Sequence, residues 1–274
     1  MVKLAYEANA WGGVVGTPGA VTDIGSGFYE TPGDVVETLG AIASAGYTGV
    51  ELFDGNLLHF EHSVDEFARA VEAAGLEVAG VYSGGHLIYP DAHEDELARF
   101  DRSIRLAAAA GARHYVLGGG AVRSSGRRDA DFEVAGAFLD RVAERAEAAG
   151  LVVSYHPHLG SLAQSPEQID ALFAATSVGM CADVAHIAAG GGDPVDVINR
   201  YAARLKYVHL KDVDLSSSAF LPLGEGDLDL GSIIDAVVLA RYDDWITVEL
   251  DGYPGDPASA AERSLRFLTG HQPG

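Results

Sequence analysis

Four residues that lie far apart along the chain, His156, Asp183, His209 and Glu249, each fall at or beside the C-terminal end of a short apolar run that reads as a strand. The surrounding runs are YHPH (155–158), ADVAH (182–186), VHLKD (208–212) and VELDG (248–252). All four side chains are good ligands for a divalent cation. Two imidazoles with two carboxylates suit Mn²⁺, Fe²⁺, Co²⁺ or Zn²⁺ better than Ca²⁺, which takes oxygen ligands. Taken singly, His156 reads equally well as a satisfied core histidine and Asp183 as a helix cap. Glu249 inside an apolar strand is costly unless it is paired or metal-bound. Strand C-termini meet at one mouth only in a closed α/β barrel, so the chemistry depends on that fold.

Further groups gather around these four. His158 and His186 sit two and three residues beyond His156 and Asp183, where an imidazole can hydrogen-bond a substrate hydroxyl or carry a proton. Lys211, just past His209, either stabilises negative charge on a substrate oxygen or pairs with a neighbouring carboxylate. Asn9, Glu51 and His86 lie within a residue or two of other strand ends, and Trp11 is placed to wall an apolar sugar face. Glu51 reads alternatively as a structural residue paired to a basic group at the barrel rim. His59, His62, His93, His114 and His271 read as surface residues. The loop 215–230 is expected to cover the mouth, with Glu225 and Asp227 either helping to close it or only forming a turn.

The elements that must position these groups follow from a repeated phrase: an amphipathic Ala-rich stretch, a small-residue break, then a short β-branched run. It recurs at 34–53, 63–83, 96–119 and 132–157, and returns three more times without the Gly. Ala, Leu, Glu and Arg favour helix, and apolar residues three or four apart give one buried stripe. Gly46, Gly75, Gly111 and Gly150 stand where a helix ends in a left-handed residue. Ser63, Ser165 and Asp193 read as N-caps, with Pro166 and Pro194 at first helical positions. The runs VELF, VAGVYS, HYVLGG, LVVSYH, VGMCAD, KYVHLK and ITVEL are apolar on both faces, as buried parallel strands are. With KLAYEA at the start, the count is eight strands and eight helices in strict alternation. This predicts an α/β fold, a single (β/α)₈ TIM barrel over residues 1–274 with no internal linker. A doubly wound sheet is the rival, but no G-x-G-x-x-G follows the first strand. The two GGG runs, 118–120 and 190–192, follow strands without leading into G-K-S/T, and read as loop turns at the mouth.

Composition excludes several function classes. The formal net charge is −22, from 40 acidic against 18 basic residues. Nucleic-acid binding needs a basic footprint, and Arg123, Arg127 and Arg128 are too few to supply one. The acidity reads as solubility or adaptation to salt. No apolar run approaches the roughly 20 residues of a membrane span, and the first residues do not read as a signal peptide. Cys181 is the only cysteine, which rules out an internal disulfide and suggests a reducing cytoplasm.

The pieces GYTGVELF (46–53), DVAHIAAGGGDPVDVINRYAARLKYVHLKDV (183–213), LGEGDLDLGSII (223–234) and WITVELD (245–251) resemble the xylose isomerase-like TIM-barrel superfamily of sugar phosphate isomerases/epimerases. YHPHLGS, D-x-x-H with GGDP, and HLKD bring it nearest to inosose dehydratase-like keto-sugar lyases. The resemblance implies one divalent metal, usually Mn²⁺ or Co²⁺, held by strand-end carboxylates and imidazoles. By position, Asp183, His209 and Glu249 match. The ketose 3-epimerases of this superfamily carry a Glu where His156 stands, and an Arg shortly after the strand-seven His, where this chain offers Lys211. A symmetric two-carboxylate epimerisation is therefore not expected.

The expected activity is a metal-dependent lyase or dehydratase acting on a keto-cyclitol, a 3-keto sugar or a 3-keto glycoside through an enediolate. His156 or Glu249 would be the base, and His158, His186 or Lys211 the acid. The alternative keeps the metal and reprotonates the enediolate, giving a sugar isomerase or epimerase. A family-2 abasic-site endonuclease shares the barrel but needs three zinc ions and a basic surface. A non-enzymatic sugar binder would not need four costly polar residues at buried strand ends. The partner is a small sugar or cyclitol, without a phosphate, since no Arg/Lys cluster marks a phosphate site. A homo-oligomer or a second subunit is compatible with the resemblance.

Overall fold

Alternation of small apolar and polar residues with a period of two governs the centre of the molecule, because successive strand side chains point to opposite faces. The computed structural model describes residues 2–16 and 22–270, so His271 lies outside the described residues. Eight parallel strands close on themselves: β1 (Lys3–Glu7), β2 (Gly49–Phe53), β3 (Glu77–Gly85), β4 (His114–Gly119), β5 (Val152–Tyr155), β6 (Gly179–Asp183), β7 (Leu205–Leu210) and β8 (Trp245–Val248). Closure is made by β1, which pairs Ala5 with Gly49 of β2 on one side and Lys3 with Trp245 of β8 on the other. Eight helices cover the barrel: α1 (Val35–Ser44), α2 (Val64–Ala73), α3 (His93–Ala109), α4 (Asp129–Ala148), α5 (Pro166–Ala175), α6 (Pro194–Arg200), α7 (Leu230–Leu239) and α8 (Pro257–Gly270).

Inside, Ala5, Ala79, Val116, Cys181, Tyr207 and Trp245 form a buried floor distinct from the larger apolar layer between strands and helices. Two residues beyond Cys181 and Tyr207 stand Asp183 and His209, and two beyond His209 stands Lys211. Counting by twos from Trp245 gives Thr247, Glu249 and Asp251. One periodicity therefore stacks an apolar floor below a polar mouth. Pairing runs slightly past the strands, since the His156 N–H donates to the Leu117 carbonyl and the Glu249 N–H to the Leu210 carbonyl.

Several expectations are corrected. Alternation is interrupted by two short helices that start directly at strand ends, Asp54–Leu58 and Val184–Ala189. The run 190–192 ends the second of these instead of following a strand, whereas Gly119 and Gly120 do turn the chain at the mouth with φ of 92° and 93°. Ser63 makes no side-chain cap, because its ψ of 37° lies outside the extended region from which a capping hydroxyl reaches the first free amides. His93 and His114 are buried, not on the surface. An imidazole has a flat face that packs like an aromatic ring, and His93 stacks on Phe138 at 4.0 Å while His114 stacks on Tyr207 at 4.5 Å. His59 and His62 are exposed. No helix among the described residues is long and apolar enough to cross a membrane.

Helix α4 lies close against the end of α5 at Gly136, where an added Cβ would come 2.4 Å from the Ala175 carbonyl oxygen. Gly40 in α1 faces open space. Gly136→Ala should lower unfolding free energy by about 1–3 kcal/mol through overpacking. Gly40→Ala should raise it by about 0.5–1 kcal/mol by restricting the unfolded chain. Urea denaturation of the two variants checks both signs.

Candidate active site

Four neighbouring strands, β5 to β8, bring His156, Asp183, His209 and Glu249 together, with one potential ligand atom of each within 4.8 Å of the others. All four are buried. Asp183 Oδ2 lies 3.1 Å from His156 Nε2 and 3.8 Å from His209 Nδ1, and Glu249 Oε2 lies 2.8 Å from His209 Nδ1.

Each of the four is oriented by a neighbour. Asp183 caps the short helix that follows β6, its Oδ1 accepting the His186 N–H at 2.8 Å, so Oδ2 is left facing the mouth. The Glu51 carboxylate on β2 reaches across the barrel to His209 Nε2 at 2.9 Å. Both ring nitrogens of His209 thus face carboxylates, Nε2 that of Glu51 and Nδ1 that of Glu249; burial opposes a charged imidazole there, but Cys181, Glu51 and Glu249 outweigh it and hold His209 well above its usual range. Asn9 Nδ2 donates to Glu249 Oε1 at 3.2 Å. Tyr82 sets its ring edge-on to His156 at 5.7 Å.

Lys211 is fully buried among the acids, with Nζ 3.2 Å from Asp183, 3.0 Å from Glu249, 2.8 Å from Asp251 and 3.1 Å from His186 Nε2. The chain continues through His186, whose ring lies 3.7 Å from that of His158. Burial opposes a charged lysine, but Asp183, Asp251 and Glu249 outweigh it and hold Lys211 well above its usual range. Burial likewise opposes the Asp183 and Asp251 carboxylates, and Lys211 nonetheless holds both well below theirs. His156 is pushed down by burial, as is His158. Burial and then Lys211 push His186 down to about 4. Glu7, at the end of β1, is pushed well up by burial and then by Glu249 and Glu51.

The donor set fits a divalent cation on two observations. His209 Nδ1 and Glu249 Oε2 approach to 2.8 Å, yet neither has a hydrogen-bond partner, and His156 Nδ1 is also unpartnered. Buried lone pairs left unmatched cost free energy unless something bridges them. The second is the density of carboxylates: Asp183, Glu249 and Asp251 crowd the Lys211 ammonium, and Glu51 and Glu249 flank His209.

Above the cluster opens a cavity of about 770 Å³. Glu249, His156, His158, His186, Asp251 and His86 line it. His86 is half exposed and tied to Glu96 at 3.0 Å. Four residues expected to touch substrate do not line this cavity, the first being Lys211, which is fully buried on Asp183, Glu249 and Asp251. Asn9 is spent on Glu249, Glu51 lies below His209 inside the barrel and not at its rim, and Trp11 packs edge-on against Tyr6 at 5.5 Å. The loop after β7 does cover the mouth, through a hairpin of Asp212–Asp214 with Ala219–Leu221 that sets Phe220 against His186 at 4.8 Å. Asp212 anchors it by accepting N–H bonds from Val213, Gly224, Gly226 and Leu228. Glu225 and Asp227 stay outside, the first paired with Arg263 and the second bonded to the Leu215 N–H. Of the basic cluster, Arg123 pairs with Asp131 and Arg127 holds backbone carbonyls of Ser161 and Leu162.

Sequence reading missed Glu7 and Asp251. The signal was available: each continues the inward register of its strand, Glu7 after Lys3 and Ala5, Asp251 after Thr247 and Glu249.

A family model described as xylose isomerase-like TIM barrel matches residues 39–271. The chain belongs to that family. Its relatives include enzymes, and this protein is one. The rhizopine catabolism protein MocC of Rhizobium meliloti is 28% identical over 92% of this chain and 82% of its own length. An inosose dehydratase of Lacticaseibacillus casei is 31% identical over 51% of this chain, which spans about half of that relative, 54%. Among solved structures, the probable 3-DHS dehydratase AsbF of Bacillus anthracis superposes with a TM-score of 0.77 at 15% identity, covering 99% of this chain and all of its own. At that identity the likeness is one of fold.

Glu51 touches the cluster only through His209, which gives it a separable role. Glu51→Gln should weaken Mn²⁺ binding by about ten- to a hundredfold while the fold persists. Calorimetric titration of the metal-stripped variant, with circular dichroism as the control for folding, checks this.

Proposed function

We propose that the protein is a divalent-metal-dependent lyase that eliminates an oxygen substituent from a keto-cyclitol, a 3-keto sugar or a 3-keto glycoside. The observation that carries the reading is the unbroken polar chain from Glu249 through Lys211 to Asp251 and His186, beside the four convergent ligand groups of His156, Asp183, His209 and Glu249. His156, Asp183, His209 and Glu249 would hold the cation, Mn²⁺ being the first choice by family resemblance. When bound, it supplies Lewis-acid polarisation of a carbonyl oxygen.

Elimination needs a proton taken from the carbon beside the ketone and a proton given to the departing oxygen. Glu249 and His156 are the groups at the cluster that can accept the first. Lys211, held protonated but walled off from the cavity, would supply the second by way of His186 or His158, which line it, and it is joined to Glu249 at 3.0 Å. The C–H pair of electrons becomes the enediolate, then forms the new double bond as the neighbouring C–O bond breaks. The departing oxygen leaves protonated, as water from an inosose. Burial of the whole array strengthens each electrostatic contact.

An epimerase reading keeps the same first proton transfer. It calls for a second base across the substrate, and His156 stands where, by the resemblance, the ketose 3-epimerases carry a Glu. The names of the relatives, an inosose dehydratase and a rhizopine catabolism protein, support elimination from a cyclitol-like ring.

The test is incubation of metal-loaded protein with inososes and 3-keto glucosides, followed by mass spectrometry. A product lighter by one water, or a released aglycone, is expected; unchanged mass with altered configuration would replace the lyase by an epimerase. Asp183→Ala should lose bound metal and turnover together. Full turnover after exhaustive chelation would contradict the proposal.

A further inference from the structure

The cavity is larger than a single sugar ring needs, and its two sides differ in chemistry. A hexose has twelve heavy atoms, and at roughly 15–30 Å³ each, taking the liquid share of a water as the upper bound, it fills about 200–350 Å³. The cavity holds about 770 Å³. All four cluster residues come from β5 to β8. Across the mouth, β2 and β3 contribute Phe53 and Tyr82, and Tyr29 leans in from the short strand Tyr29–Glu30. These rings pack edge-to-face or at a tilt into one faceted apolar wall: Phe53 to Tyr82 is 5.4 Å at 89°, Tyr29 to Tyr82 is 5.9 Å at 78° and Tyr29 to Phe53 is 6.2 Å at 40°. Phe28 extends it along the cavity wall.

The surface is continuous with the reactive end, because Tyr82 is also the ring that meets His156 edge-on. Its placement depends on glycine. A Cβ at Gly118 would fall 1.8 Å from the Tyr82 hydroxyl oxygen, and one at Gly84 would fall 2.8 Å from the Tyr29 ring. Both rings lie back against bare backbone, which leaves the space in front of them open. A charged extension has no counter-ion here. Arg99, the one arginine lining the cavity among the described residues, is spent on Asp54, Ser83 and the Gly84 carbonyl. Glu96 is spent on the backbone N–H groups of His86 and Leu87.

We propose that the Phe53–Tyr82–Tyr29 wall is a subsite for a flat apolar aglycone, so that the substrate is a 3-keto glycoside with its sugar at the cluster and its aglycone on the rings. This rests on the lyase reading and narrows its substrate class. In the balanced step the proton on C2 goes to the base, the C2–H electrons form the C1–C2 double bond, and the C1–O bond breaks. The aglycone oxygen takes a proton and leaves as the free alcohol or phenol. No oxidant or reductant is consumed, and the sugar departs as the unsaturated ketone. Aromatic groups stacked on such a wall gain both buried area and ring–ring contact.

The test compares benzyl and methyl 3-keto-β-D-glucosides, whose alcohols are similarly acidic, on the metal-loaded protein. The expected kcat/KM ratio, benzyl over methyl, is about ten or more, and Tyr29→Ala lowers that ratio about tenfold. Phe53→Leu, which keeps an apolar side chain, serves as a second variant and should lower the ratio in the same direction. In parallel, calorimetry measures binding of the unreactive benzyl and methyl β-D-glucosides. Tighter benzyl binding that Tyr29→Ala removes, with no elimination product from any keto sugar, upholds the subsite and sinks the lyase. Elimination from both glucosides at equal kcat/KM, with ratios unmoved in both variants, upholds the lyase and overturns the subsite.

Discussion

Negative charge crowded into a buried space is the constraint on which this molecule is built. Asp183, Glu249 and Asp251 converge at the open end of a closed barrel around the Lys211 ammonium, with Glu7 near them and Glu51 below, paired to His209. Desolvating a carboxylate costs roughly several kcal/mol even after relaxation, so an array of this kind persists only with compensating cations and hydrogen bonds. Lys211 compensates part, and burial keeps Glu7 toward its neutral form. His209 Nδ1 and Glu249 Oε2 stand 2.8 Å apart without a hydrogen bond between them, within a group of four side chains able to hold a cation. The proposed function uses the same feature: a cation held by these carboxylates and imidazoles would stabilise negative charge developing on a bound substrate oxygen.

The rest of the architecture serves to hold that array rigid. Asp183 is fixed by capping a helix, His209 by Glu51 from the far side of the barrel, and Glu249 by Asn9. The floor of Tyr207, Trp245 and their small neighbours keeps water out from below. Asp212 ties down the hairpin that carries Phe220 over the mouth, so one buried carboxylate organises backbone while the others face the site.

The barrel was legible because it is written in repeats. An Ala-rich helix, a glycine at positive φ and a β-branched strand return throughout the chain, and the glycines at 46, 75, 111 and 150 take the left-handed conformation their positions demand. The convergence of His156, Asp183, His209 and Glu249 followed from strand ends alone. What stayed hidden depends on contacts across the barrel. Glu51 looked like a rim residue because sequence does not reveal that its strand faces His209. Trp11 and Asn9 sit in a loop whose path is set by Tyr6 and Glu249, not by local propensity. His93 and His114 read as surface because their polarity is local, whereas the rings that bury them come from distant elements. The aromatic wall was invisible for the same reason, as Tyr29, Phe53 and Tyr82 belong to three separate segments.

The central claim is that one divalent cation sits among the four strand-end side chains. Crystals grown with Mn²⁺ and measured near the manganese absorption edge test it most directly. A single anomalous peak within roughly 2.0–2.3 Å of His156, Asp183, His209 and Glu249 is the predicted result. Crystals of well-ordered protein at saturating Mn²⁺ with no peak there, or with Lys211 closing the space between Asp183 and Glu249, would contradict it.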